Sequence, residues 1–281
     1  MSAGESDSKA ASESDSKAAS ESNSKAASES NSEAASGEII ETTTGPDQKP
    51  LTLRRAAGGF EIVSDGKIVI KSALRRSERE LFNLAMAPLR DRHDITILLC
   101  GLGMGYLLAA ALESPRVVRV DVVEHSPAIV NWNRSHLSTL HREPPLGDSR
   151  VQVHEMGLPA YLRAMRYGTL PEVKLESGGY LALIMDLDDG PSGLSQPRNA
   201  DLYSDDGLAD LEEALRPGGV LALWSAQREP ELLGRLTGRF QNLAEIAVPV
   251  DVPDHAGLDY IYRGRKRAPA GGNRSATRAQ A

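Results

Sequence analysis

The stretch I-T-I-L-L-C-G-L-G-M-G-Y, residues 95–106, decides the fold. A mostly apolar run stops at three alternating glycines, Gly101, Gly103 and Gly105, and a helical pattern follows. A short, nearly continuous apolar run reads as a parallel strand buried on both faces. Glycines directly after it let the chain turn tightly and let a ligand approach the N-terminus of the next helix. The stretch therefore predicts a strand over 95–100 and a helix after Gly105, with the glycine loop as the floor of a nucleoside site. Tyr106 occupies the place of the third glycine in G-x-G-x-x-G, which argues against a standard NAD fingerprint.

The segments on either side alternate. Upstream, Asp65-Gly66 lies between F-E-I-V-S (60–64) and K-I-V-I-K (67–71), a strong hairpin signal. A helix is expected over 77–89, with Ser77 as N-cap and Glu80 as its capping-box partner. Downstream, strands are expected at 117–124, 150–155, 180–186 and 220–224. Helices are expected from Pro127 (capped by Ser126), around 160–165, from about Ser204 to Pro217-Gly218-Gly219, and around 229–239. Two last strands, near 244–248 and 259–263, are close enough to form an antiparallel hairpin. The fold class is α/β: a Rossmann-like, methyltransferase-type doubly wound sheet, mostly parallel, with an antiparallel C-terminal edge hairpin and a small N-terminal β-hairpin.

Residues 5–36 are four copies of the octapeptide E-S-[D/N]-S-[K/E]-A-A-S and contain no Leu, Ile, Val or aromatic residue. Such a segment has little to bury against the entropy of ordering. The expected organisation is a disordered tail and linker over 1–48 and a hairpin-and-helix appendage over 49–93. A nucleoside-binding catalytic domain follows over 94–265, then a disordered basic tail over 266–281. The net charge of −7 gives no reason to expect polyanion binding. The single cysteine, Cys100, excludes an internal disulfide and reads as a core residue. No apolar run approaches ~20 residues, the length that spans a bilayer. The N-terminus lacks the pattern of a secretory signal, so a cytoplasmic location is expected.

Ligands of such sheets bind beyond the carboxyl ends of the strands. Glu124 ends the second strand, about 20 residues after the glycines, where a carboxylate accepts hydrogen bonds from ribose hydroxyls. M-D-L-D-D-G-P-S-G (185–193) places Asp186, Asp188 and Asp189 at the end of the fourth strand. Like charges this close call for a cation, such as an ammonium or sulfonium substrate. An amine with a pKa near ~10 arrives protonated and must lose a proton before it attacks, which suits a carboxylate base. No ligand spacing supports a metal.

These motifs resemble the spermidine synthase (polyamine aminopropyltransferase) superfamily, especially its short bacterial spermidine-synthase-like branch. The resemblance covers about residues 58–265. It rests on D-G-K (65–67), on the glycine stretch, on V-V-E-H-S-P-A-I-V-N-W-N-R (122–134) and on M-D-L-D-D-G-P-S-G-L (185–194). L-Y-S-D-D-G-L (202–208) and L-R-P-G-G-V-L (215–221) add to it. It implies decarboxylated adenosylmethionine as donor and a small-molecule amine as acceptor. It implies Asp186 as base, Asp189 as second acidic contact, Asp188 beside the substrate, Glu124 on the ribose and Tyr203 as a wall of the acceptor pocket. The family forms dimers, so the resemblance allows a homodimer; neither membrane nor nucleic acid is an expected partner.

Three departures leave alternatives open. The family's loop carries an aspartate that contacts the donor's amine, and here that position is Met104. Ordinary adenosylmethionine, whose carboxylate suits a helix N-terminus, is the alternative donor, and a methyltransferase the alternative enzyme. The family's acidic residue after the third strand falls at Gly157, with Glu155 as the nearest substitute, and its Tyr-His-Glu segment is missing near Glu78–Leu84. A nucleoside-binding protein without turnover is the third reading.

Overall fold

The computed structural model describes residues 37–72, 75–170, 178–187, 190–194, 196–252 and 255–268. The chain divides into two compact units, Met1–Ser72 and Ala73–Ala281.

In the first unit, β1 (Glu38–Thr44), β2 (Pro50–Ala56), β3 (Gly59–Ser64) and β4 (Lys67–Lys71) form an antiparallel sheet in that order. Asp65 and Gly66 both have positive φ, 49° and 77°, as the tight β3–β4 turn requires. Across β2 and β3, Arg54 pairs with Glu61 at 2.6 Å, with Arg54 only 5% exposed. The expectation of a linker up to residue 48 is corrected here, because Glu38–Thr44 form β1. That strand has no buried residue and no clean alternation, and it is held by its ladder to β2. The octapeptide repeats and residues 269–281 lie outside the described residues.

The second unit opens with α1 (Arg75–Met86), which a 3₁₀ turn over Ala87–Leu89 extends. The helix starts ahead of Ser77, so Ser77 is not its N-cap. There follow β5 (Ile95–Cys100), α2 (Tyr106–Leu112), β6 (Val117–Glu124), α3 (Pro127–Arg134), β7 (Val151–Glu155) and α4 (Leu158–Arg166). The rest of the unit is β8 (Tyr180–Met185), α5 (Asp205–Ala214), β9 (Leu215–Ser225), α6 (Pro230–Arg239), β10 (Phe240–Val252) and β11 (His255–Lys266). Among the described residues, seven strands make one sheet in the order β10-β11-β9-β8-β5-β6-β7. The β5–β9 ladders are parallel, and β11 runs antiparallel to both β9 and β10. This is the expected architecture.

Alternation along each strand builds two cores. Ile97, Leu99, Val122, Ile184 and Ala222 face one side, with Leu81 and Ala85 of α1 and Leu107 and Leu108 of α2. Leu98, Cys100, Val123, Leu183 and Leu223 face the other, with Tyr161 and Leu162 of α4, Leu208 and Leu211 of α5 and Leu232 of α6. Because both faces are covered, β5 and β8 carry almost no polar residue. Strand β9 starts earlier than expected. Its ladder to β8 shifts register between Tyr180–Leu215 and Ala182–Val220, so Pro217-Gly218-Gly219 lies inside an irregular strand and α5 ends at Ala214.

A polar cluster crosses the second core. Asp121 is fully buried and accepts from Arg119 Nε at 2.7 Å and from His154 Nε2 at 2.8 Å. Burial pushes its carboxyl up, but the hydrogen bonds from His154 and Arg119 together hold it below the usual carboxylate value.

Candidate active site

The strand order reverses at β5. The chain runs outward from it through β6 to β7, then crosses to β8 on its other side. The crevice beyond the carboxyl ends of β5 and β8 is where such sheets bind ligands.

The glycine loop fills one wall of that crevice. Gly101, Gly103 and Gly105 have φ values of +96°, +53° and +82°, which residues with a Cβ rarely adopt. A Cβ on Gly101 would lie 2.5 Å from the Asp186 carbonyl oxygen. One on Gly105 would lie 2.7 Å from Asn133 Oδ1. The loop is therefore in close contact with β8 on one side and α3 on the other.

Side chains from three other segments hold the loop. Glu124 is buried; its Oε2 accepts from Leu102 N at 3.0 Å and its Oε1 from Ser126 N at 2.7 Å. Burial raises the Glu124 pKa, partly offset by the backbone N–H groups of Ser126, Leu102 and His125. Asn133 Nδ2 donates to Gly103 O at 2.9 Å, and His141 Nε2 donates to Met104 O at 2.8 Å. A carbonyl only accepts, so Nε2 is the protonated nitrogen of His141. With two of its carbonyls turned toward these donors, the loop has a fixed peptide orientation. Ser126 caps α3, with Pro127 at the first helical position, as expected.

Met104 is fully buried, so its side chain presents no surface to a ligand. As a ligand-lining side chain the expectation is corrected: at position 104 it is the backbone that takes part in the loop. The first turn of α2 is occupied from another direction. Glu78 of α1 accepts from Leu107 N at 2.9 Å through Oε2. Glu78 as a whole is half-buried, with its carboxyl end crowded by protein. Its pKa is pushed up to about 8, first by burial and then by the negative charge of Asp186, against the opposing Leu107 hydrogen bond.

Asp186 directly follows β8 and is half-buried. Its N–H donates to Cys100 O at 3.1 Å, which sets it against the start of the glycine loop. Asp188 and Asp189 lie outside the described residues. The chain after them is anchored by Glu229, which accepts from Ser192 N at 3.1 Å and Ser192 Oγ at 2.9 Å. Gly190, at φ +94°, packs so closely on Ser225 that a Cβ would overlap its Oγ.

Glu155 ends β7 beside the end of β6 and pairs with Arg134 at 3.6 Å. Gly157 precedes α4, and a Cβ there would meet only His125 Nδ1 at 3.7 Å and Pro159 Cδ at 4.0 Å. Tyr203 is 3% exposed and belongs to the second core, so it forms no open wall. Cys100 is buried, and burial raises its thiol pKa far above the usual value, consistent with a core residue. Among the described residues no group of three or more His, Cys, Asp or Glu is placed to hold a metal ion. A cavity of about 320 Å³ lined by Leu162, Arg166, Asp210 and Glu213 lies away from these groups, among the ion pairs of Arg166.

The strand ends thus bring together Gly101, Gly103, Gly105, Glu124 and Asp186. Sequence reasoning missed Glu78, Asn133, His141 and Glu229. Of these only Glu78 had a signal: it lies on the same stripe of α1 as Leu81, Phe82 and Ala85, where an acid is out of place.

No family model and no curated protein matches the chain. Solved structures do match. Spermidine synthase from Thermotoga maritima superposes with a TM-score of 0.63 at 15% identity, over 82% of this chain and 73% of that one. A spermidine synthase in complex with the transition-state analogue AdoDATO superposes with a TM-score of 0.62 at 14% identity, over 82% and 72%. At this identity the likeness shows the fold, and it is the fold that the sequence motifs imply.

Proposed function

We propose that the chain transfers an aminopropyl-type group from a sulfonium nucleoside to an amine acceptor. The observation that carries this reading is the position of Asp186, a carboxylate at the end of β8 with its backbone tied to the start of the glycine loop. An acceptor held by Asp186 would lie within reach of a donor held by the loop. The shared fold with spermidine synthases, one of them bound to AdoDATO, supports the choice of donor class.

In this reading the loop backbone cradles the nucleoside. Glu124 uses the lone pairs left after its backbone bonds for the ribose, and Glu155 stands on the adenine side. By the resemblance, Asp189 is a second acidic contact and Asp188 a further one for the amine. The acceptor nitrogen loses a proton to Asp186, and its lone pair forms the new carbon–nitrogen bond as the carbon–sulfur bond breaks in line. The electron pair of the broken bond goes to sulfur, which leaves as a neutral thioether, and Asp186 passes the proton to solvent. Positioning of the two reactants supplies most of the acceleration; a general base contributes ~10²–10⁴-fold.

A methyltransferase using ordinary adenosylmethionine is the second reading, favoured by the absence of a charge at Met104. Calorimetry with adenosylmethionine, its decarboxylated form, methylthioadenosine and NAD separates the two. Binding of the decarboxylated form but not of adenosylmethionine removes the methyltransferase. Binding of none of the four removes both. Asp186→Asn should keep donor affinity and lose about 10²-fold or more in turnover with an amine; undiminished turnover would exclude Asp186 as base.

A further inference from the structure

The chain that leaves β8 at Asp186 is tied down at two places. At its start, Asp186 N donates to Cys100 O at 3.1 Å, at the end of β5. Further along, Ser192 is caught by Glu229: its N–H donates to Oε1 at 3.1 Å and its hydroxyl to Oε2 at 2.9 Å. Ser192 is exposed, so burial does little to hold this turn, whereas Glu229 is only 6% exposed.

The carboxyl of Glu229 is turned away from the helix it precedes. An acid just before a helix ordinarily accepts from the first-turn amides. Glu229 stands immediately before Pro230, the first residue of α6, yet its side chain makes no capping hydrogen bond there. Its main chain is fixed from β11 and α6: the N–H donates to the Tyr262 hydroxyl at 2.6 Å, and the carbonyl accepts from Leu233 N at 3.0 Å. A buried carboxylate is costly unless hydrogen bonds compensate it, and here both oxygens accept from one serine of a distant loop. The loop is shaped to come that close. Gly190 has a φ of +94°, and a Cβ on it would overlap Ser225 Oγ and lie 3.1 Å from Glu229 Oε1. Gly193 N closes the turn on Gly190 O at 3.1 Å.

We infer that Glu229 is a positioning residue for the amine acceptor. Through Ser192 it holds the Gly190–Gly193 turn against the end of β9, and so keeps the chain after Asp186 from swinging away from the crevice. The inference rests on the reading of Asp186 as the group that receives the amine. The glycine loop is held by other side chains, those of Glu124, Asn133 and His141. Loss of the Glu229 tie should therefore act on the acceptor and spare the donor.

The test compares the full chain with Glu229→Ala, Glu229→Gln and Ser192→Ala. Three quantities are measured: amide hydrogen exchange at residues 190–193, calorimetric affinity for methylthioadenosine, and the KM for 1,4-diaminobutane with decarboxylated adenosylmethionine as donor. Glu229→Ala should speed exchange at the Ser192 amide at least tenfold and raise the KM at least tenfold, with methylthioadenosine affinity changed by less than about twofold. Glutamine can still accept from Ser192 N through its carbonyl and can donate to the Ser192 hydroxyl, so Glu229→Gln should bring both values back to within about threefold. Ser192→Ala should raise the KM on its own, and adding it to Glu229→Ala should change little more, because the two residues share one contact. A glutamine variant as impaired as the alanine variant overturns the inference, since the charge beside α6 and not the tie would then matter. An unchanged KM beside faster exchange also overturns it, as does a loss of methylthioadenosine affinity equal to the rise in KM. Should Glu229→Ala fail to fold, the KM of Ser192→Ala decides: raised, it upholds the inference; unchanged, it overturns it. If the unsubstituted chain transfers nothing to the amine, the reading of Asp186 fails and the inference falls with it, whatever the exchange rates.

Discussion

Donor binding should expel a proton, and the structure sets how many. In the free protein the Glu78 carboxyl titrates at about 8, because burial and the neighbouring Asp186 charge both oppose ionisation. At pH 7 Glu78 therefore keeps most of its proton. An ammonium held against Glu78 favours its charged form, and an opposite charge at contact lowers a carboxyl pKa by about 1–3 units. A fall of about two units leaves about 0.1 of a proton bound at pH 7, so about 0.8 is released per site. At pH 9 the free carboxyl is already about nine-tenths ionised, and the release falls to about 0.1. The assay is calorimetric titration of decarboxylated adenosylmethionine in buffers of different ionisation enthalpy. Methylthioadenosine should release almost nothing at either pH. A release below about 0.2 at pH 7, or the same release with methylthioadenosine, would refute the argument that the donor's amine meets Glu78. The sign carries over to stability. A raised folded-state value means that the ligand-free protein loses stability as pH rises from 4.5, the ordinary value, to about 8. Saturating donor should flatten that loss.

Two further outcomes are expected. Met104→Asp should not restore a family-like donor contact, because the side chain at 104 is fully buried. It should cost about 3 kcal/mol or more in urea unfolding without raising affinity for the decarboxylated donor; a stable variant that binds this donor more tightly would contradict the burial argument. Asp121→Asn removes the charge that Arg119 and His154 share and should cost about 3 kcal/mol at pH 7 by urea midpoint. Because Asp121 is held below its ordinary value of 3.8, its contribution is present above that pH and is lost as pH falls through the lowered folded-state value, so the two proteins should converge in strong acid.

What the sequence made legible follows from what kind of interaction holds each part. Strands β5 and β6 end at Cys100 and Glu124, as read, because an apolar run buried on both faces has sharp ends where polar residues resume. The Ser126–Pro127 cap and the Asp65-Gly66 turn were legible because each is a local solution to a backbone problem. Strand β1 was not, since its pairing with β2 leaves no hydrophobic period in E-I-I-E-T-T-T. Nor was the early start of β9. Glycines and a proline that end a helix in isolation are carried here in an irregular ladder with β8. Asn133, His141 and Glu229 act on backbone groups in distant segments: Gly103 O, Met104 O and Ser192 N. No spacing rule connects a side chain to a carbonyl or amide 30 or more residues away.

The same distinction governs the reading of the donor. A motif assigns a role to a position in the loop, and by that logic the methionine at 104 removes the charge that an aminopropyl donor needs. Chemistry is indifferent to which element supplies the carboxylate; it requires one near the donor's amine and a first turn of α2 that does not attract a carboxylate. The hydrogen bond from Leu107 N to Glu78 occupies the helix end and fixes a carboxyl group there. The substitution at 104 thus does not by itself argue for ordinary adenosylmethionine. The occupied helix end argues against it, and it was visible only once α1 and α2 were placed side by side.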